Sequence, residues 1–349
     1  MPANPPVFDG HNDLLLKLQM GRSTPRRVRD GGGGTQVDLP KAMAGGFGGG
    51  MFALFAPDPA ERMDVSRMAG ESYDLPLPGI MDEGTALKTI VAQVALFREL
   101  AGMGVLLPCT SAAGIEAALP GPAMAAVLHL EGADCIDAEF RALHVLHALG
   151  LRSMGLVWSR KTRWAEGVPF RFPSTGDTGP GLTEEGRALV REAGRLRIAL
   201  DLSHLNEAGC DDVAKITGAP LIASHSNAHA LCPHARNLTD RQLDQIAETG
   251  GLVGLNFARA FLSEDGQMGA DVALTTMIRH LDHLLERLGE GGVALGSDFD
   301  GAAVPREIGD VSGLPALVGA MRQAGYGEEL IAKICHGNWV DVLRRTWGR

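Results

Sequence analysis

The chain of 349 residues carries only five cysteines, an odd number, widely spaced and without a CxxC pair. That excludes a disulfide framework and a thiolate zinc site, and leaves buried free thiols as the expected state. No apolar run approaches the ~18 residues needed to cross a bilayer. The opening MPANPPVFDG lacks a basic n-region and an apolar h-region, and the closing RRTWGR lacks the hydrophobic tail of a lipid-anchor signal. A cytoplasmic protein with no membrane partner is expected. Positive charge is in deficit: the formal net charge is −10, with the acids scattered rather than run together. Nucleic acid would meet like charge and is not an expected partner. Two catalytic signatures are also missing. GGGG at 31–34 is followed by no GK[ST], which excludes a P-loop, and no G-x-S-x-G elbow supports a nucleophilic serine.

Glycine is in surplus, 46 residues or about 13%, against an average near ~7%. It has no three-residue period, and apolar segments separate the glycine clusters, so neither collagen nor a flexible linker fits. Apolar residues make up 45% and charged residues 21%, enough to bury a large core. Short apolar runs are expected as strands at 7–13, 50–55, 125–131, 152–158, 198–204, 220–225, 252–257 and 293–298. They lack polar alternation, which suits strands buried on both faces of a parallel sheet. Between them, helical spacing marks 85–101, 138–149, 183–195, 206–217, 239–249 and 274–288, with two more helices at 313–323 and 328–345. Eight strands alternating with helices and no linker predict an α/β fold. The expected architecture is a single-domain (β/α)8 TIM-like barrel over residues 1–349, with C-terminal helices 313–345 packed on it. The arginine cluster Arg22, Arg26, Arg27 and Arg29 reads as a solvated loop.

Active sites of such barrels lie at the C-terminal ends of the strands. The first strand closes on DGHND, which places His11 and Asp13 two apart and therefore on one side of an extended chain. The third closes on HLEG with Glu131, the fifth on DLSH with His204, the sixth on ASHS with His225, and the last on GSDFDG with Asp298 and Asp300. One such histidine is ordinarily a satisfied core residue. Several polar groups buried together are costly unless they hold a metal or bind one another. His11, Asp13, His204 and His225 count as four terminal ligands, and Glu131 can bridge through its two oxygens. That suits two divalent ions; one four-coordinate ion is the plainer alternative. Imidazole and carboxylate without thiolate favour Zn²⁺, with Mn²⁺, Co²⁺ or Fe²⁺ compatible. His129, two before Glu131, is a candidate behind the ligands. His144, His147, His280 and His283 lie within helical segments, where solvent-facing or packing roles are the default.

These motifs resemble the membrane dipeptidase (renal dipeptidase) family of binuclear zinc peptidases among the amidohydrolase-like barrels. The resemblance runs from DGHNDLLLKL through DLPKAMAGGFGGGMFALF, LEGAD, DLSH, ASHSNAHALCPHARNLTD, GLVGLNF and GSDFDG to GNWVDVLRRTW. It implies two Zn²⁺ per chain: His11 and Asp13 on one, His204 and His225 on the other, and Glu131 between them. It also implies Arg236 on the substrate carboxylate, Asp298 as the proton carrier and Asp300 as a structural acid. The implied reaction is hydrolysis of a dipeptide, L-Xaa-D-Xaa included, by a hydroxide between the metals, and the family expectation is a homodimer. One position departs: mammalian members carry a histidine at the end of the fourth strand, where GLVWSRKTRWAEG places Trp158. Tryptophan offers only an indole N–H and accepts no proton, which bears on substrate choice. The competing expectations are another metal-dependent amidohydrolase, acting on N-acyl amino acids, lactones or lactams, and a catalytically silent relative that binds a small ligand. HND in place of HxH on the first strand weighs against the former, and the complete ligand set weighs against the latter.

Overall fold

The computed structural model describes residues 3–58 and 64–348. Eight parallel strands follow one another around a barrel in chain order. They are β1 (Val7–Asn12), β2 (Phe47–Phe55), β3 (Met124–Glu131), β4 (Leu151–Gly155), β5 (Ala199–Asp201), β6 (Ile222–Ser226), β7 (Leu252–Leu255) and β8 (Val293–Leu295). Every residue of β1, β3, β6, β7 and β8 is buried, because helices cover the outer face while side chains fill the inside. The ring closes just beyond β8. Asp298 donates its N–H to the His11 carbonyl (3.0 Å), and Asp13 donates to that of Phe299 (2.8 Å).

Three of the surplus glycines have a shared reason. A Cβ on Gly10, Gly254 or Gly296 would overlap the backbone oxygen of Ser224, so β1, β7 and the residue just beyond β8 approach β6 more closely than any side chain would allow.

The covering helices form where the spacing predicts, for example Leu274–Leu288 and Asp240–Glu248, the latter opened by a Thr239–Gln242 capping box. The last helix is not continuous, as expected over 328–345. A π turn at Lys333–Gly337 separates Glu328–Ala332 from Asn338–Trp347. After this turn Asn338 donates to the Val293 carbonyl (2.8 Å) and the fully buried Trp339 indole to that of Leu295 (2.9 Å). Trp347 donates to the Arg152 carbonyl on β4 (3.1 Å), so the closing helix plugs the end of the barrel opposite the expected site.

Several short elements escape the sequence pattern. A strand at Leu106–Pro108 pairs with the first half of β3, on the edge whose second half takes β4. Helices also form at Leu14–Gln19, Leu39–Gly45 and Ala112–Ala118. The arginine cluster is not simply a loop: Pro25–Asp30 is a helix, with Pro25 in its first turn and the Thr24 hydroxyl accepting from the Arg27 N–H. It ends on Gly31 and Gly32, whose φ of +86° and +78° suit glycine. The GGGG turn then delivers Gln36 and Val37, whose N–H groups donate to the Asp300 carboxylate (2.8 and 3.1 Å). Asp300 thus ties this turn to the loop beyond β8. No helix of the described residues is long and apolar enough to cross a membrane.

His280 shows how this core meets acid. It is buried, its Nδ1 accepts from the Ala228 N–H (3.3 Å), and its Nε2 donates to the Leu262 carbonyl (3.0 Å), which requires the neutral ring. Burial lowers its pKa to about 4. The unfolded chain takes up this proton below about pH 6.5 and the native one only near pH 4, so stability falls between those values as pH drops. The term is of order 3 kcal/mol. In urea titrations from pH 7 to 4.5, His280→Gln should show a shallower loss of stability than wild type; parallel profiles would contradict this.

Candidate metal centre

Four sites on the rim arise from residues that have just left their strands. β5 ends at Asp201 and β8 at Leu295, short of the expected His204 and Asp298. His204, Asp298 and Asp300 take φ of +67°, +61° and +68°, a conformation unfavourable to residues other than glycine. Leaving β geometry turns the His204 and Asp298 side chains inward, and outliers of this kind cluster at functional sites. Asp13 has also left β1, at the N-cap of the following helix, yet its Oδ2 lies 3.4 Å from His11 Nε2. Gly301 leaves room here, since a Cβ would collide with the carboxylates of both Asp13 and Asp298.

The side chains expected as ligands converge. Glu131 Oε1 lies 3.2 Å from His204 Nε2, 3.6 Å from His225 Nε2 and 3.7 Å from His11 Nε2. One carboxylate oxygen thus faces three imidazoles, two from strands β1 and β6 and one from the turn after β5. Two compact donor groups result, His11–Glu131–His225 and His11–Asp13–Asp298, with His11 in both.

The surroundings aim these rings. His204 Nδ1 meets the Ser159 hydroxyl (2.8 Å) and His225 Nδ1 that of Ser224 (2.7 Å), which leaves each Nε2 for the centre. Behind Ser224, Asp201 accepts its hydroxyl (2.5 Å) and the Ser203 and Ser224 N–H groups. His129, the candidate behind the ligands, bonds Ser153 (2.9 Å), lies 3.5 Å from Asp201, and sets its ring edge-on to His11. Asp298 Oδ2 accepts from the Asn256 amide (3.0 Å). Sequence reasoning overlooks Asp201, Ser159, Ser224 and Asn256. Only the position of Asp201 in DLSH and of Ser224 beside His225 gives any sign of them.

Electrostatics fit a cation. Burial, with the charges of His11 and Arg236, holds the His204 and His225 rings well below the ordinary imidazole range, so both are neutral. Burial alone would lower His11 too, but the Glu131, Asp13 and Asp298 carboxylates outweigh it and raise the ring to about 10. Burial raises Glu131 to about 8 and moves Asp298 upward. Neither ring nitrogen of His11 has a hydrogen-bond partner in good geometry among the described residues. His204 Nε2 and His225 Nε2 face each other at 3.1 Å. Two nitrogens on one tetrahedral zinc at 2.0–2.1 Å would lie about 3.3–3.4 Å apart. The donors therefore fit a metal: neutral imidazoles at His204 and His225 aimed inward, carboxylates among them, and a His11 ring whose proton a bound cation would displace.

A cavity of about 160 Å³ opens from this centre. Asp13, Glu131, His204 and Asp298 line its inner end, and Phe55, Met68, Trp158, Phe170, Phe261 and Met268 its apolar walls. Trp158 is half-buried against Phe55 and Phe170, 5.8 Å from the His204 ring. Arg236 is buried, donates to the His225 carbonyl (3.1 Å) and lies 5.4 Å from the Phe261 ring centre, with Nε unpartnered among the described residues. Burial lowers its guanidinium to about 10, against the pull of Asp298 and Glu131.

Residues 2–347 match the family model described as membrane dipeptidase, peptidase family M19. The chain belongs to this family. Its fold superimposes with a TM-score of 0.93 on a dipeptidase AC of the same family, at 49% identity over 99% of this chain and 100% of that one. A Rhodobacter sphaeroides metallo peptidase, solved with a phosphinate mimic of the dipeptide L-Ala-D-Ala, gives 0.94 at 48% identity, with the same coverage. A Klebsiella pneumoniae protein described as an uncharacterized protein in the pqqA 5' region is 44% identical, covering 76% of this chain and 98% of its own. The chain is a metallo-dipeptidase with the expected barrel, and its cavity of about 160 Å³ suits a small-molecule substrate.

Proposed function

We propose that this dipeptidase uses two zinc ions to hydrolyse dipeptides, L-Xaa-D-Xaa included, with the barrel and its C-terminal helices acting as one catalytic domain. The observation that carries the reading is Glu131, one of whose two oxygens faces His11, His204 and His225. His11 and Asp13 would hold one ion, His204 and His225 the other, with Glu131 between them. A relative at 48% identity bound to a mimic of L-Ala-D-Ala supports the stereochemistry. When bound, the metal supplies Lewis-acid activation of water and of the scissile carbonyl. Asp298 takes the proton of the attacking water and returns it to the leaving amine. Asn256 occupies its Oδ2, which leaves Oδ1 for that work. Arg236 receives the substrate carboxylate, its planar fork still offering Nε. Trp158 contributes a wall rather than a proton. Five buried free thiols support a cytoplasmic location, and a homodimer remains the family expectation.

The test is a panel of L,L- and L,D-dipeptides, tripeptides and N-acetyl amino acids, with metal content measured on the same sample. Close to two zinc ions per chain and release of free amino acids from dipeptides alone are expected. A metal-replete sample that cleaves N-acetyl amino acids and no dipeptide would overturn the reading.

A further inference from the structure

Arg160 lies in the loop that follows β4, and its side chain is completely buried. A buried guanidinium is costly unless well paired, and this one is paired to the loops after two other strands. Nε donates to Asp134 Oδ1 beyond β3 (3.0 Å), and Nη2 to the Ala56 carbonyl beyond β2 (2.7 Å). The guanidinium carbon also lies 5.6 Å from the ring centre of Phe55 and 6.0 Å from that of Trp158. Those rings are 5.1 Å apart and together form one wall of the cavity. Nη1 has no hydrogen-bond partner among the described residues. Space for the arrangement is tight: a Cβ on Gly132, next to Glu131, would press on Asp134 Oδ2 (2.9 Å) and Trp158 N (3.1 Å).

We propose that Arg160 is a positioning residue that locks Trp158 and Phe55 as a fixed wall for an apolar substrate side chain. A cation on an aromatic pair favours particular ring orientations, because the ring quadrupole attracts it most strongly over the face. Ordinary apolar packing would fill the space without that directionality. The clamp joins three rim loops, one of which begins beside Glu131, so the wall keeps its distance from the centre. The substrate part is apolar because Met68, Phe170, Phe261 and Met268 line the rest of the cavity, while its acids, Asp13, Glu131 and Asp298, lie at the inner end. What packs on the wall rests on the dipeptidase reading; the positioning of Trp158 does not.

The test compares wild type with Arg160→Met, and with Arg160→Met combined with Asp134→Asn, which removes both charges should the single variant fail to fold. Trp164, Trp339 and Trp347 are buried, so Trp158→Phe identifies the quenchable part of the emission. Metal content and fold should persist in the double variant, with Trp158 emission more readily quenched by acrylamide. KM for dipeptides with Leu or Phe side chains should rise about tenfold, with kcat within about threefold and Gly-Gly nearly unaffected, as expected for about 1.4 kcal/mol of binding. Arg160→Lys should not rescue, since an ammonium cannot bridge both partners and stack. Unchanged quenching, or equal losses on Gly-Gly and Phe-containing dipeptides, would overturn the proposal. If wild type cleaves no dipeptide, the dipeptidase reading fails by itself, and the quenching comparison still decides the positioning of Trp158.

Discussion

Replacing Asp298 by Asn should lower kcat on a dipeptide by about 10²–10⁴-fold while leaving the metal content at the wild-type level. Asn is the right probe for three reasons. It has the same shape; it tolerates the φ of +61° that most residues would resist; and its side-chain oxygen can still accept from Asn256. What it cannot do is accept and return a proton. Burial raises the Asp298 carboxyl and His11 opposes that rise. Asp298 also lies in a donor group with His11 and Asp13, so a ligand role is the rival assignment. Metal analysis of the variant separates the two. Lost metal would make Asp298 a ligand, and full metal with wild-type kcat would remove it from the chemistry.

Glu131→Gln should have the second large effect, with different consequences for the loaded and metal-free protein. The amide keeps the volume but removes the negative charge that faces His11, His204 and His225. Metal content should fall below one ion per chain, and hydrolysis should drop by about 10³-fold or more, because the bridging donor is gone. The chelated variant should nevertheless melt within a few degrees of chelated wild type, because without metal the buried acid is itself pushed toward its neutral form, which the amide resembles. Burial raises this acid to about 8, which shows the cost of its charge at that position. Thermal melts with and without chelator, alongside metal analysis, check both halves. A Glu131→Gln protein that retains two ions and wild-type turnover would refute the bridging assignment.

Much of the barrel was legible because its strands are buried on both faces and therefore appear as unbroken apolar runs. All eight occur where the runs predict, with errors at their ends. The errors at His204 and Asp298 share a cause. Composition does not reveal a left-handed backbone at a polar residue, so the apolar run reads as a strand as far as His204 and Asp298, whereas the chain has already left β geometry there. Leu106–Pro108 and the short helices were missed because runs of three to seven residues carry too little periodicity to stand out. The GGGG stretch has no meaning in the sequence, since its role depends on the contacts of Gln36 and Val37 with the distant Asp300.

The sequence by itself determined the barrel and which polar residues stand at the ends of its strands, since strand burial and donor chemistry are written in residue types and their order. Only the tertiary structure decided which atoms meet. It set three imidazoles around one Glu131 oxygen, placed Ser159 and Ser224 behind the histidines, and buried Arg160 beneath Trp158. Apart from Ser224, which is the neighbour of His225, these contacts join different strands or the loops after them, far apart in the chain, as with Arg160 and Ala56. Their geometry follows from the closure of the ring, which no local stretch of sequence contains.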